Sequence, residues 1–303
     1  MNIPVTETLT TLLDYVRYAA SRFSEAGLHF GHGTATALDE AAALVLHASH
    51  CPHNLPTGYF AATLTPAERV AVITLIERRI NERKPLAYLT FQAWFAGLPF
   101  YVDERVLVPR SPIAELIERQ FAPWLDGTVT RILDLCTGSG CIAIACAYAF
   151  PEAHIDAVDI SEEALAVAAI NQQKHSVTDS VRLIHSDLYT GLEPGQRYDL
   201  IVSNPPYVNR AEWQGLPGEY QAEPRLGLEA GEDGLDCVRR ILEQAAEWLT
   251  PEGILVVEVG SSAEALEAAY PHVPFLWLAF ERGGDGVFLL TAGQIHQARF
   301  AKA

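Results

Sequence analysis

Beyond residue 130 the chain alternates short apolar runs with stretches of helical periodicity, and no other feature restricts the fold as much. The runs are 131–135, 154–160, 181–187, 198–204 and 253–260, with 274–280 and 286–292 closing the chain. Strands that are buried on both faces read as such near-continuous apolar runs. A mainly parallel sheet with helices on both sides is therefore expected. The last two runs flank Arg282-Gly283-Gly284-Asp285, a turn-forming sequence, and should make an antiparallel hairpin at one edge.

The first ninety residues carry the pattern of helices instead. Thr65-Pro66-Ala67-Glu68 is a capping box with proline at the first helical position. Val72, Ile73, Ile76 and Ile80 follow at three- and four-residue spacing until Lys84-Pro85 stops the helix. Residues 7–25 and 37–49 show two further amphipathic patterns. Between Phe91 and Val108, aromatic and β-branched residues broken by Gly97-Leu98-Pro99 suggest a hairpin, after which Ser111-Pro112 caps another helix. The expected organisation is a helical recognition domain over 1–90, a hairpin linker over 91–110 and a sheet domain over 111–303.

With 303 residues, 49% hydrophobic and 19% charged, both domains can bury a core. No stretch reaches the roughly 18 apolar residues of a membrane span. The start, Met1-Asn2-Ile3-Pro4-Val5-Thr6-Glu7, lacks the regions of a secretory signal, so a cytoplasmic protein is expected. Cys51, Cys136, Cys141, Cys146 and Cys237 form no C-x-x-C pair and read as reduced core residues. His47, His50, Cys51 and His53 match no familiar zinc spacing and read as solvent-side groups at a helix end. The formal net charge is −17, and of 38 acidic and 21 basic residues only eight and seven fall within 1–90. Acidity on the sheet domain opposes nucleic-acid phosphates and suits a basic protein partner, or serves solubility alone.

The run 198–204 ends in Asn204-Pro205-Pro206-Tyr207. One reading is a turn, since Asn-Pro initiates turns and Pro-Pro ends strands. The other is chemical. A planar amide or aromatic-amine nitrogen is a poor nucleophile because its lone pair is delocalised. The Asn204 side-chain oxygen and a backbone carbonyl can each accept one N–H of such an NH2 group, which orients the nitrogen and stabilises the positive charge that grows on it during methyl transfer. Pro205 and Pro206 keep the loop rigid, and Tyr207 is the wall against which the flat group lies.

The run 131–135 leads through Asp134-Leu135-Cys136-Thr137-Gly138-Ser139-Gly140-Cys141 into an Ala-rich helix, so a ligand can approach backbone N–H groups where doubly wound sheets bind nucleotides. Asp159 stands 19 residues after Gly140, where a carboxylate can accept both ribose hydroxyls, and Asp187 can meet an adenine amino group. Gly138-x-Gly140-x-x-Ala143 equally fits a dinucleotide fingerprint. Asp134, Asp159, Asp187 and Asn204, however, follow four successive strands at intervals of 25, 28 and 17 residues, so all four are expected at one sheet edge, where an adenosine with a sulfonium side chain would lie.

Together these residues resemble the class I S-adenosyl-L-methionine (SAM)-dependent methyltransferases, and within them the enzymes that methylate glutamine side-chain amides. The likeness covers nearly the whole chain. It implies an α/β fold, a Rossmann-like doubly wound sheet with an N-terminal helical domain, and a reaction without metal. In such enzymes the counterparts of Asn204 and Pro205 grip the amide, with Pro206 and Tyr207 completing the motif. The SAM contacts it implies are Asp134, Cys136, Thr137, Gly138, Ser139, Gly140, Asp159, Ile160, Asp187 and Leu188, beside Asn204.

The stretch Glu104 to Ile117, the run Cys136 to Tyr148 and the closing Gly283 to Phe288 look like the branch acting on ribosomal protein L-three of the large subunit. The release-factor branch has Pro-Arg-Pro followed by acidic residues and Thr in the first of these, and a Trp where Leu188 offers a smaller apolar floor. Leu216 to Tyr220 and Glu223-Pro224 also match and are expected to shape a substrate-facing loop. For Glu219, Tyr220 and Glu223, packing with ion pairs and contact with substrate fit equally. An adenine amino-methyltransferase shares the motif but needs a surface for the nucleic-acid backbone that this acidic chain does not offer. A silent SAM-binding adaptor is the reading from another class.

Overall fold

The computed structural model describes residues 5–125, 127–298 and 300. Two units are distinguished: the chain up to Gln92 together with Pro217–Ala222, and Ala93–Leu216 together with the chain from Glu223 onward.

In the second unit, β1 (Ala93–Phe95) and β2 (Leu98–Phe100) form a small antiparallel hairpin. The residues from Tyr101 to Arg110, expected to belong to it, have no regular structure and run on with Ser111 as a strap. A seven-stranded sheet follows: β3 (Arg131–Leu135), β4 (His154–Asp159), β5 (Val181–His185), β6 (Tyr198–Ser203), β7 (Leu249–Glu258), β8 (Leu276–Trp277) and β9 (Val287–Thr291), in the order β5-β4-β3-β6-β7-β9-β8. β3 to β7 are parallel, whereas β9 is antiparallel to both β7 and β8. The run 274–280 yields only the two residues of β8, because Pro274 has no N–H for a ladder and an edge strand pairs on one side.

Alternate strand residues go to opposite faces. Ile132, Leu200, Val202, Ile254 and Val256 meet the helices Ile113–Glu118 and Cys141–Ala149 on one side. On the other side, Leu133, Ile201, Leu255 and Val257 meet the helix Asp236–Trp248 through Val238, Ile241 and Leu242. Both faces are covered, which is why the strands show no polar alternation.

The first unit is helical. The expected helix over 7–25 is broken into Val5–Thr8 and Leu12–Glu25, because Thr11 and Asp14 form a capping box that starts a new helix. The helices Ala37–Ala48 and Pro66–Glu82 follow, the latter with its Thr65–Glu68 box in place. Beside Val72 and Ile76 on its inner face lies Arg79, fully buried. Its Nε donates to Glu40 Oε1 at 2.7 Å and its Nη2 to the His29 carbonyl at 3.1 Å. Glu219 stands 3.7 Å from Arg79 Nη1, pairs with Arg83 at 2.8 Å and accepts the His29 N–H at 3.2 Å. Burial alone would raise the Glu219 carboxyl, but these N–H groups and guanidinium charges hold it below the ordinary range. This network ties Pro217–Ala222 to the helical unit.

Among the described residues no helix is long and apolar enough to cross a membrane, and no three His, Cys, Asp or Glu side chains are grouped to hold a metal ion.

Candidate active site

The strand order reverses between β3 and β6, so the connections on either side leave in opposite directions and open a crevice at the carboxyl ends of the strands. A cavity of about 600 Å³ lies there, lined by the loops that follow β3, β4, β5 and β6. Its size is that of a small-molecule site.

The turn after β3 brings Cys136, Thr137, Gly138 and Ser139 to the wall. Gly138 has φ +55° with open space where a side chain would be, so a ligand can come close to its backbone. Its N–H donates to Asp159 Oδ2 at 2.8 Å, while Ser161 N–H donates to Asp159 Oδ1 at 2.9 Å. Each carboxylate oxygen keeps a second lone pair, and Asp159 lines the cavity, so a vicinal diol has acceptors to meet. Asp134 and Gly140 are not among the lining residues. Asp134 is wholly buried and braces the turn from below: Oδ2 accepts from Thr137 Oγ1 at 2.5 Å and from Ala143 N–H at 3.1 Å. Gly140 starts the helix, and a Cβ there would stand 3.3 Å from that of Ala168, so its part is close helix packing. Asn171, buried in the helix Glu162–Lys174, donates through Nδ2 to the carbonyls of Ser139 and Tyr101, both at 2.9 Å, and links the turn to the strap.

Ile160, 48% exposed, and Leu188, 5% exposed, give apolar walls next to Asp159 and Asp187. Asp187 reaches the cavity with one oxygen bound to Arg240 at 2.8 Å. Two of the cysteines expected in the core, Cys136 and Cys237, instead line the cavity with their sulfurs 3.9 Å apart, because the residues that follow β3 turn out over the sheet edge. Only Cys141 and Cys146 are buried.

Asn204, Pro206 and Tyr207 line the same cavity, whereas Pro205 is buried beneath them. The strap from Glu104 to Ser111 lines it too, and so does Leu226–Gly231. The two are joined by Arg110, whose Nη1 and Nη2 donate to Glu223 at 2.6 and 2.8 Å, with Val108 N–H donating to the same carboxylate at 2.9 Å. Glu219 and Glu223 are thus held in ion pairs. Asn171 and Arg240 give no signal as site residues in the sequence, since each sits in an ordinary helix and gains its part only from a distant partner, and Arg110, though within the stretch that marks the branch, gains its part only from Glu223.

The wall carries the carboxylates of Glu104, Asp159, Glu163, Asp187, Glu229 and Asp236, while its arginines, Arg105, Arg110 and Arg240, each face a carboxylate already. Such a field favours a cationic nucleoside over one with a pyrophosphate. The donor set therefore fits an adenosine bearing a sulfonium and an ammonium group better than a dinucleotide.

Burial raises the Asp134 carboxyl from its ordinary value to about 7, partly offset by its Thr137 and Ala143 donors. A raised folded-state value means that the stability linked to the protonated form is full below about pH 4 and is lost as pH rises through about 7. In urea denaturation, Asp134→Asn should therefore gain stability relative to the wild type between pH 5 and pH 8. A difference that does not change with pH would contradict this.

Comparison with known proteins follows the same line. The family described as Methyltransferase small domain matches residues 118–216. The chain is 52% identical over 305 residues to the ribosomal protein uL3 glutamine methyltransferase of Xanthomonas campestris pv. campestris, covering 100% of this chain and 98% of that protein. It is 53% identical over 292 residues to the protein of that name from Neisseria meningitidis serogroup A, covering 95% of each. Among solved structures, the hMettl16 catalytic domain in complex with the MAT2A 3′UTR hairpin 6 superimposes with a TM-score of 0.50 at 18% identity, covering 73% of this chain and 80% of that one, a likeness of fold alone.

Proposed function

The chain belongs to the ribosomal protein uL3 glutamine methyltransferase family, and from that premise we propose that it transfers a methyl group from SAM to the side-chain amide nitrogen of a glutamine in ribosomal protein uL3, in the cytoplasm. The observation that carries the reading is the presence of Asn204 and Tyr207 in one cavity with Asp159, Gly138 and Leu188. SAM supplies a methyl group activated by its sulfonium. Asp159 would accept the ribose hydroxyls, Asp187 would accept from the adenine amine through the oxygen that Arg240 leaves free, and Ile160 and Leu188 would give a purine apolar surface. The Asn204 oxygen and the Pro205 carbonyl accept the two amide N–H groups; the Pro205 ring is buried, so only its carbonyl is asked for. Tyr207 limits the tilt of the amide. Catalysis then consists of position and electrostatics, with no nucleophilic side chain, and the proton lost from nitrogen goes to solvent.

Purified uL3, a peptide-chain release factor and DNA, each incubated with the enzyme and methyl-labelled SAM, test this. Label is expected in uL3. Label in the release factor alone would assign the chain to the other branch, and tight SAM binding without any transfer would favour an adaptor. A precursor particle of the large subunit in a fourth tube separates free protein from assembly intermediate as the substrate.

A further inference from the structure

We propose that Glu258 is a positioning residue for methyl transfer, acting through the hydroxyl of Tyr207 to set the plane against which the target amide is held. The proposal rests on the assignment of Asn204 to Tyr207 as the amide grip. Glu258 ends β7, beside β6, whose last residue Ser203 pairs with Val257, so the carboxylate emerges next to the start of the motif. It is 6% exposed, and each of its oxygens accepts one hydroxyl: Tyr207 Oη donates to Oε1 at 3.0 Å and Ser111 Oγ donates to Oε2 at 2.6 Å.

Two further contacts hold the same tyrosine. Its carbonyl accepts from Ser262 Oγ at 2.7 Å. Its ring lies so close to Gly260 that a Cβ there would come within 2.5 Å of Cε2, which requires glycine. Tyr207 is thus fixed at its hydroxyl, its ring face and its backbone. A tyrosine that merely ended a strand would need none of this, and its hydroxyl could be left to water at no cost. Burying a carboxylate is expensive unless its donors are well placed, so its use to hold one phenol that lines the cavity points to the site. The neighbouring Arg110 is engaged with Glu223, which leaves the two hydroxyls as the close donors to Glu258.

Glu258→Gln, Tyr207→Phe and the double variant, assayed with uL3 and SAM, test the idea, with SAM affinity measured by calorimetry. The Gln amide has one acceptor oxygen where Glu258 has two and must turn its NH2 to the other hydroxyl, which reverses that bond and shifts the ring, so each single variant should lose about tenfold or more in kcat, the size of effect that small misplacement produces. SAM affinity should change less than about twofold in either variant, since the cofactor end is built by other loops. The double variant should be no slower than the slower single one, because both remove the same link. Losses that multiply, or a Glu258→Gln variant with unchanged kcat, would overturn the proposal. If Glu258→Gln does not fold, Tyr207→Phe alone still decides: a fall in kcat with SAM affinity kept supports it, and unchanged kcat ends it. Failure of the amide-grip reading itself is distinguishable, for then Asn204→Ala would also keep its turnover.

Discussion

Asn204→Ala is expected to lower kcat toward uL3 by about 10²–10³-fold at saturating SAM, the loss that follows removal of one preorganised group facing a developing charge. As the glutamine nitrogen attacks, its lone pair leaves the amide resonance and positive charge grows on the N–H bonds, so an acceptor is stronger in the transition state than in the ground state. Asn204 is held at the carboxyl end of β6, the strand that pairs with β3, and the rigid Pro205-Pro206 that follows leaves its side chain little freedom to search. SAM affinity should fall far less than kcat, because Asp159, Asp187 and Leu188 come from other strands. Stopped-time assays with labelled SAM, paired with calorimetric SAM binding, check both parts. Wild-type turnover in the variant would remove Asn204 from the mechanism.

Arg79→Met should destabilise the helical unit by about 3–5 kcal/mol, since it leaves Glu40 buried without its guanidinium and Glu219 with Arg83 alone. Glu40 is already raised by burial, with Arg79 as the main opposing influence. The concerted change Arg79→Met, Glu40→Leu and Glu219→Leu should recover most of the loss, because a buried ion network costs more to break than to replace. Urea denaturation of the full chain, followed by circular dichroism at a helix wavelength, measures both. A single variant within about 0.5 kcal/mol of wild type, the range of ordinary surface changes, would show that the network contributes little.

The layered fold was legible because its signal is one of period. Strands covered on both faces give continuous apolar runs, and a glycine turn after the first of them marks where the sheet binds small molecules. Chain order likewise brought Asp159, Asp187 and Asn204 to one edge, since parallel strands end on the same side. Asp134 followed the same rule of order but sits within β3 under the turn, and spacing alone does not tell a brace from a wall. Amphipathic periodicity over 7–25 predicts one continuous helix because it persists across the Thr11–Asp14 box that breaks it.

The sequence by itself determined the sheet and the meeting of Asp159, Asp187 and Asn204 at one of its edges, and it supplied the reading of Asn204-Pro205-Pro206-Tyr207 as a grip for a planar NH2, because each follows from local pattern and strand order. Only the tertiary structure decided what holds that grip and what shapes its surroundings. Glu258 meets Tyr207 from 51 residues away, Arg110 reaches Glu223 over 113 and Arg79 faces Glu40 over 39. Such pairs leave no periodic trace. Their partners are chosen by where the folded chain brings a buried charge, which must be matched wherever it comes to rest.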